Sequence, residues 1–165
     1  MPEIIRLSHA APDATARVEQ DDWDADQLLT LAQWKDKRLA PLEAGERARV
    51  RLEPTDDPAE LAPDVDRIQL VAINFPKFAD GRGYSSAALL RTRYGYRGEL
   101  RAIGDVGRDQ LFYLRRCGFD AFALAPHRDP HTALASLGDF SERYQGSVDD
   151  PLPLFRKRFA AGASR

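Results

Sequence analysis

Val71 to Cys117 reads VAINFPKFADGRGYSSAALLRTRYGYRGELRAIGDVGRDQLFYLRRC. It opens on an apolar run, Arg67 to Phe75, long enough for a strand and apolar at almost every position. That is the pattern of a parallel strand covered on both faces. A glycine-bearing loop and a helical stretch follow, in which Ala87, Leu90 and Tyr94 share a face and Gly95 sits past the end. Residues 98–104 make the next strand. Leu111, Phe112 and Leu114 then line a second helix that Gly118 terminates, with Arg115 and Arg116 in the last turn, where cations suit the helix dipole. Strand and helix in alternation argue for a parallel sheet with helical crossovers.

Working outward, the same alternation extends both ways. Residues 48–54 and 119–124 read as two further strands, and 3–7 and 15–19 as short N-terminal ones. A helix is expected from about Asp24, capped by Asp22 or Asp24, with Leu28, Leu31, Ala32, Trp34, Lys35 and Leu39 at helical spacing and Pro41 as its stop. Pro58 suits the first turn of a short helix that Pro63 ends. Asp129-Pro130 reads as a cap followed by a first-turn proline, opening a helix whose face carries Ala133, Leu137, Phe140 and Tyr144 and which Gly146 ends. The fold class is therefore α/β. It is a small parallel sheet of about four βα units, either an open sheet or a partial-barrel-like array with its helices on one side, plus an N-terminal strand and helix extension. Residues 1–165 read as one domain, with the extension over 1–47, the βα core over 48–146 and a tail over 147–165.

Composition bounds the function. A net charge of −2 gives no general attraction to nucleic acid or to anionic membrane. No apolar run nears the ~20 residues a membrane span needs, and the N-terminus lacks the pattern of a secretory signal, so a cytoplasmic location is expected. The single cysteine, Cys117, excludes an intrachain disulfide, a CxxC redox pair and a cluster of thiolates. It lies by a helix C-terminus, where the dipole disfavours a thiolate. His9, His127 and His131 are scattered, so no metal is expected, and no cofactor.

Ligands of open α/β sheets gather at the carboxyl ends of the strands. Here that edge holds Asn74 to Arg82, Asp105 to Arg108 and Ala125 to Arg128. The loop is the densest in chemistry. Lys77, Asp80, Gly81, Arg82, Gly83 and Ser85 precede or open a helix, where backbone amides and the dipole favour an anion. Gly81-x-Gly83-x-x-Ser86 half-matches a dinucleotide fingerprint, but serine replaces the third glycine and the loop is too long for the tight turn. Ser85 is the expected cap of that helix and Asp105 of the next. Arg101, in the middle of a strand, needs a partner, for which Glu99, Asp80 and Asp105 are the candidates. It is either half of a structural pair or, with Arg82, a clamp on an oxyanion. The anion-binding candidates are thus Lys77, Asp80, Gly81, Arg82, Gly83, Ser85, Arg101 and Asp105, and no catalytic residue is assigned.

The segments FPKFADGRGYS, GELRAIGDV and DQLFYLRRCGFDAF, with LAQWKDKR and RVRLEP more loosely, resemble a bacterial family of uncharacterised proteins, the domain-of-unknown-function group nine-three-four. Gly107 departs from that pattern, where a bulky apolar residue is expected, and should loosen the start of its helix. The resemblance implies an association with assimilatory sulfate and sulfite reduction, and members carry the label of probable oxidoreductases of sulfite reduction. With no redox group of its own, the chain reads as an accessory protein whose partner is a sulfite reductase or its electron donor. Two alternatives stand beside it: a small enzyme acting on an anionic substrate, and an interaction module that pairs with itself as a homo-oligomer.

Overall fold

The computed structural model describes residues 3–8, 15–21, 25–38, 47–140 and 143–157. The strands are β1 (Glu3–Leu7), β2 (Ala16–Gln20), β3 (Leu29–Thr30), β4 (Ala48–Leu52), β5 (Ile68–Phe75), β6 (Glu99–Gly104) and β7 (Ala121–Phe122). The helices are α1 (Leu31–Lys37), α2 (Arg82–Thr92), α3 (Arg108–Arg116) and α4 (Pro130–Leu134), with 3-10 turns at Ala25–Gln27, Pro58–Arg67 and Ala135–Gly138. The strands form one open sheet in the order β2-β1-β7-β6-β5-β4-β3, and it does not close into a barrel. Neighbours from β3 to β7 run parallel, while β1 is antiparallel to both β2 and β7.

From β3 to β7 the order in space follows the order in sequence. Right-handed crossovers that always step the same way leave every helix on one face. The core shows it. Val50, Leu52, Val71, Ile73, Phe75, Leu100, Ala102 and Phe122 meet Leu31 and Trp34 of α1, Ala87 and Leu90 of α2, and Leu111 and Leu114 of α3. Strand residues alternate between faces, so the opposite face carries a row in register: Arg17, Arg6, Ala121, Arg101, Ala72 and Arg51. Alanines between the arginines leave room for the long side chains to lie down and shield the sheet. The row is neutralised locally. Arg6 meets Glu19 at 2.8 Å and Glu99 at 3.4 Å, and Arg51 donates to Glu53 at 2.6 Å.

The α/β class and the open parallel sheet match expectation, but the sheet has seven strands, five of them parallel neighbours, rather than about four. β1 and β2 are an antiparallel hairpin that extends the sheet beyond β7. Near residue 30 the expected helix gives way to β3, because Leu29 pairs with Val50 in the ladder. The helix starts at Leu31. Thr30 caps it in a reciprocal box: the Gln33 amide donates to Thr30 Oγ1 at 3.2 Å and the Thr30 amide to Gln33 Oε1 at 2.9 Å. His9, Asp22, Asp24, Leu39 and Pro41 lie outside the described residues.

Pro63 closes the first of two short 3-10 pieces, as expected. The backbone leaves helical values at Asp64 and the 3-10 turns resume up to Arg67. The last helix is shorter than its spacing suggests. Asp129 caps it as expected, accepting from the His131 and Thr132 amides, and Ala133 and Leu137 are buried. Past Leu134 the chain tightens into a 3-10 turn, so Phe140 (54% exposed) and Tyr144 (74% exposed) leave the apolar face. Gly146 comes well after the helix has ended.

Candidate functional site

The tips of β5 and β6 are pressed together at the carboxyl edge. Gly104 has φ +95, and a Cβ there would fall 2.5 Å from the Phe75 carbonyl, so only glycine fits. The Asp105 amide donates to that carbonyl at 2.7 Å. Its carboxylate then accepts from the Phe78 amide at 3.1 Å and from Arg128 at 3.3 Å. Gln110, buried in α3, accepts from the Gly107 amide at 2.9 Å and donates to the Phe78 carbonyl at 3.2 Å. Phe78 is therefore held by both backbone groups while its ring stays exposed. Tyr84 stands beside Gln110, and burial lifts its hydroxyl above the usual phenol range. The loop after β5 is clamped rather than open.

Asp105 is thus a loop anchor and not a helix cap. Gly107 takes the N-cap position of α3, and Gln110 secures that start. The departure at Gly107 has a use. A Cβ there would meet the Arg128 guanidinium at 1.7 Å, so glycine makes the seat on which Arg128 lies.

Asp80 and Arg82 tie each other. Arg82 Nε donates to Asp80 Oδ1 at 2.9 Å, Nη2 to Oδ2 at 2.7 Å, and the Arg82 amide to Oδ1 at 3.2 Å. The Arg82 hydrogen bonds hold the Asp80 carboxyl below its usual range, so it is an ionised acceptor with no proton to give near neutrality. Gly81 is the N-cap of α2, with open space where a side chain would be. Ser85 lies inside the first turn, exposed, and does not cap the helix. Lys77 is exposed and has no ion pair among the described residues.

Two of the candidates belong elsewhere. Gly83 faces inward. A Cβ there would meet the Phe75 ring at 2.6 Å and Ile73 at 3.0 Å, so this glycine seats α2 on β5 rather than admitting a ligand. Arg101 points to the sheet face away from α2, and its partners are Glu99 at 2.8 Å and Asp21 at 2.8 Å, not Asp80 or Asp105. Both Arg101 and Asp21 are buried. Arg82 and Arg101 therefore do not converge on one ligand. Lys77, Asp80, Gly81, Arg82 and Ser85 do share one corner at the start of α2.

The sequence reading passed over two clusters. Asn74 Nδ2 donates to Glu53 Oε2 at 2.7 Å, and the Glu53 amide donates to Asp56 at 2.8 Å, joining the ends of β5 and β4. At the opposite edge of the sheet, Arg91 donates to both oxygens of Asp120 at 2.7 and 2.6 Å and to the carbonyls of Gly118, Tyr96 and Gly98 at 2.8–2.9 Å. Asp120, an acid at the start of an apolar strand, was the available signal for it. Burial pushes the Cys117 thiol up, against the pull of Arg116, which keeps it protonated and unreactive. Among the described residues no group of three or more His, Cys, Asp and Glu side chains is placed to hold a metal ion, and no helix is long and apolar enough to cross a membrane.

The carboxyl edge thus presents a braced loop with an exposed cation and an exposed ring. Its acids are already engaged, which suits recognition better than proton transfer. No curated protein and no solved structure matches the chain. The family model described as "Bacterial protein of unknown function (DUF934)" matches residues 49–155, which takes in β4 to α4 and the segment beyond while leaving out β1, β2 and β3. With about two thirds of its length under that match, the chain belongs to the DUF934 family of bacterial proteins.

Proposed function

We propose that this is an accessory protein of assimilatory sulfate and sulfite reduction, working in the cytoplasm by binding a reductase or its electron donor. The pathway rests on the family resemblance. The binding role rests on the surface made by α3 and residues 143–157. There Phe112 packs against Phe140 at a tilt, 4.7 Å between ring centres, and edge-to-face against Tyr113 at 5.5 Å, with the guanidiniums of Arg116 and Arg143 over its ring. Tyr113, Phe140, Tyr144, Leu152 and Phe155 are all exposed. Aromatic and arginine side chains on one surface are the composition of protein interface centres. The test is F140A with Y144A in one chain. It should melt like the parent, fail to bind purified sulfite reductase, and fail to restore growth on sulfate in a deletion strain. A deletion strain that grows on sulfate at the parental rate would remove the reading.

A small oxyanion fits as a secondary ligand at the start of α2, because Lys77 has no ion pair there and Gly81 leaves the helix end open. Calorimetric titration with sulfite and phosphate should show binding that Lys77→Ala abolishes; no heat with either anion removes this part. The enzymatic alternative needs a proton-transfer group at this corner, and the Asp80 carboxylate is occupied by Arg82.

A further inference from the structure

The edge strand β2 carries a pattern that the function above does not use. β2 reads Ala16-Arg17-Val18-Glu19-Gln20, pairs among the described residues only with β1, and forms one border of the described sheet. In an antiparallel ladder, backbone groups point alternately to one neighbour and to the other. The Ser8 amide donates to the Thr15 carbonyl at 2.9 Å, which fixes the phase. Arg17 and Glu19 then direct their N–H and C=O toward β1, and Ala16, Val18 and Gln20 direct theirs outward. Among the described residues no backbone hydrogen bond reaches β2 from its outer side.

We propose that this edge binds a second copy of the same chain, the two β2 strands pairing antiparallel about a two-fold axis beside Val18. The backbone phase allows that register, and among those it allows this one sets opposite charges across from each other. Val18 faces Val18 of the partner subunit as a hydrogen-bonded pair, and Ala16 faces Gln20 of the partner subunit in the same way. Arg17 then faces Glu19 of the partner subunit in the non-hydrogen-bonded position, where side chains come closest. The two-fold repeats the match, so two opposite-charge crossings form at once. The supply of charge within one chain favours it. Arg17 lies directly across from Arg6, a like-charge pair, and its own link to Glu19 is 3.5 Å long while Glu19 also serves Arg6 at 2.8 Å. Arg17 stays 63% exposed. Charged residues on an edge ordinarily ward off pairing, but this order of charges repels a mismatched strand and accepts its own two-fold mate. Two seven-stranded sheets become one continuous sheet. The contact is short, so the dimer forms reversibly with concentration.

The inference is independent of the accessory role, since β2 lies outside the family match and away from α3. Sedimentation equilibrium over a concentration series of the full chain tests it. The parent should pass from monomer to dimer. R17E and E19R should each weaken the dimer by about tenfold or more. An equimolar mixture of the R17E and E19R chains should recover it, because opposite charges then meet at both crossings. Val18→Pro removes an outward amide and no β1 bond, a change edge strands tolerate, and should be monomeric with an unchanged melt. A parent monomeric up to its solubility limit overturns the proposal. So does a dimer that survives both V18P and R17E, or one that the charge mixture fails to rebuild. If V18P does not fold, R17E and the mixture decide alone. An unrelated extended peptide bound at this edge in place of a second copy would also overturn it.

Discussion

Arg82 meets Asp80 at 2.7 Å through Nε and Nη2, Arg91 meets both oxygens of Asp120 through Nη2 alone, at 2.6 Å to the nearer, and both arginines belong to α2. The first pair joins residues two apart at the carboxyl edge of the sheet, with the arginine side chain 59% exposed. The second joins residues 29 apart at the opposite edge, with the arginine side chain 13% exposed. Arg91 also takes up three carbonyls, and the Leu100 amide donates to Asp120 at 3.2 Å. Bond length does not separate the two pairs; surroundings do. Water and salt screen an exposed pair, whereas a buried carboxylate that loses its cation has nothing to replace it. One helix thus carries a replaceable ion pair at its start and an irreplaceable one at its end.

The contrast is broken most directly at its buried end. Arg91→Met takes the cation from the buried Asp120 carboxylate and a donor from each of three carbonyls, and should cost about 3–5 kcal/mol in urea unfolding. A loss below 1 kcal/mol would mean the cluster relaxes around water. Next in size is Gly83→Ala, one residue beyond the exposed pair. Its methyl group meets the Phe75 ring and Ile73, so a loss of roughly 1–3 kcal/mol is expected, which would show how abruptly the loop becomes core.

Tyr96→Phe sharpens the comparison through pH. The Tyr96 hydroxyl donates to the Glu99 carbonyl at 3.2 Å, and losing that bond should cost about 1 kcal/mol near neutrality. Burial raises the Tyr96 phenol well above its ordinary value. A raised folded value means stability is fully present below the unfolded value near ~10 and declines as the pH rises past it. Melts between neutral and strongly alkaline pH should therefore fall less steeply in Tyr96→Phe than in the parent. The smallest effect belongs to Arg82→Ala, which should leave the melting temperature unchanged at neutral pH. Its signature is electrostatic. The lowered Asp80 value means this pair's contribution is present above the ordinary carboxyl range and is lost as pH falls through the folded value. Without Arg82, an NMR titration should find the Asp80 carboxyl moved up toward ~3.9.

Much of the fold was legible because periodicity and punctuation are local. The strands at 48–52, 68–75 and 99–104, the glycine stops at Gly95 and Gly118 and the Asp129 cap all sit where the residues place them. What failed depended on what lies across space. Gly83 looks the same in sequence whether it faces a ligand or the Phe75 ring. Thr30 caps α1 because β3 pairs with β4, which helical spacing cannot announce. The need for a partner at Arg101 was readable from burial, and Glu99, two residues away, was named. Asp21, 80 residues away, was not, since no local pattern links the two. Arg91 drew no reading at all, because its Asp120 partner is equally remote.

The position of β1 between β2 and β7 sets an order of events at the ribosome. Ile5 pairs with Phe122, so the first described strand of this sheet waits for the last. At about 5–20 residues per second, that wait is roughly 6–23 s. Each parallel pair from β3 to β7, by contrast, joins segments made in immediate succession. The nascent chain can therefore lay down its sheet from β3 onward, while the β1–β2 hairpin keeps the edge meant for β7 unfilled. During those seconds the newborn protein exposes two ladder edges on that hairpin instead of one, which is when a chaperone has the most to grip.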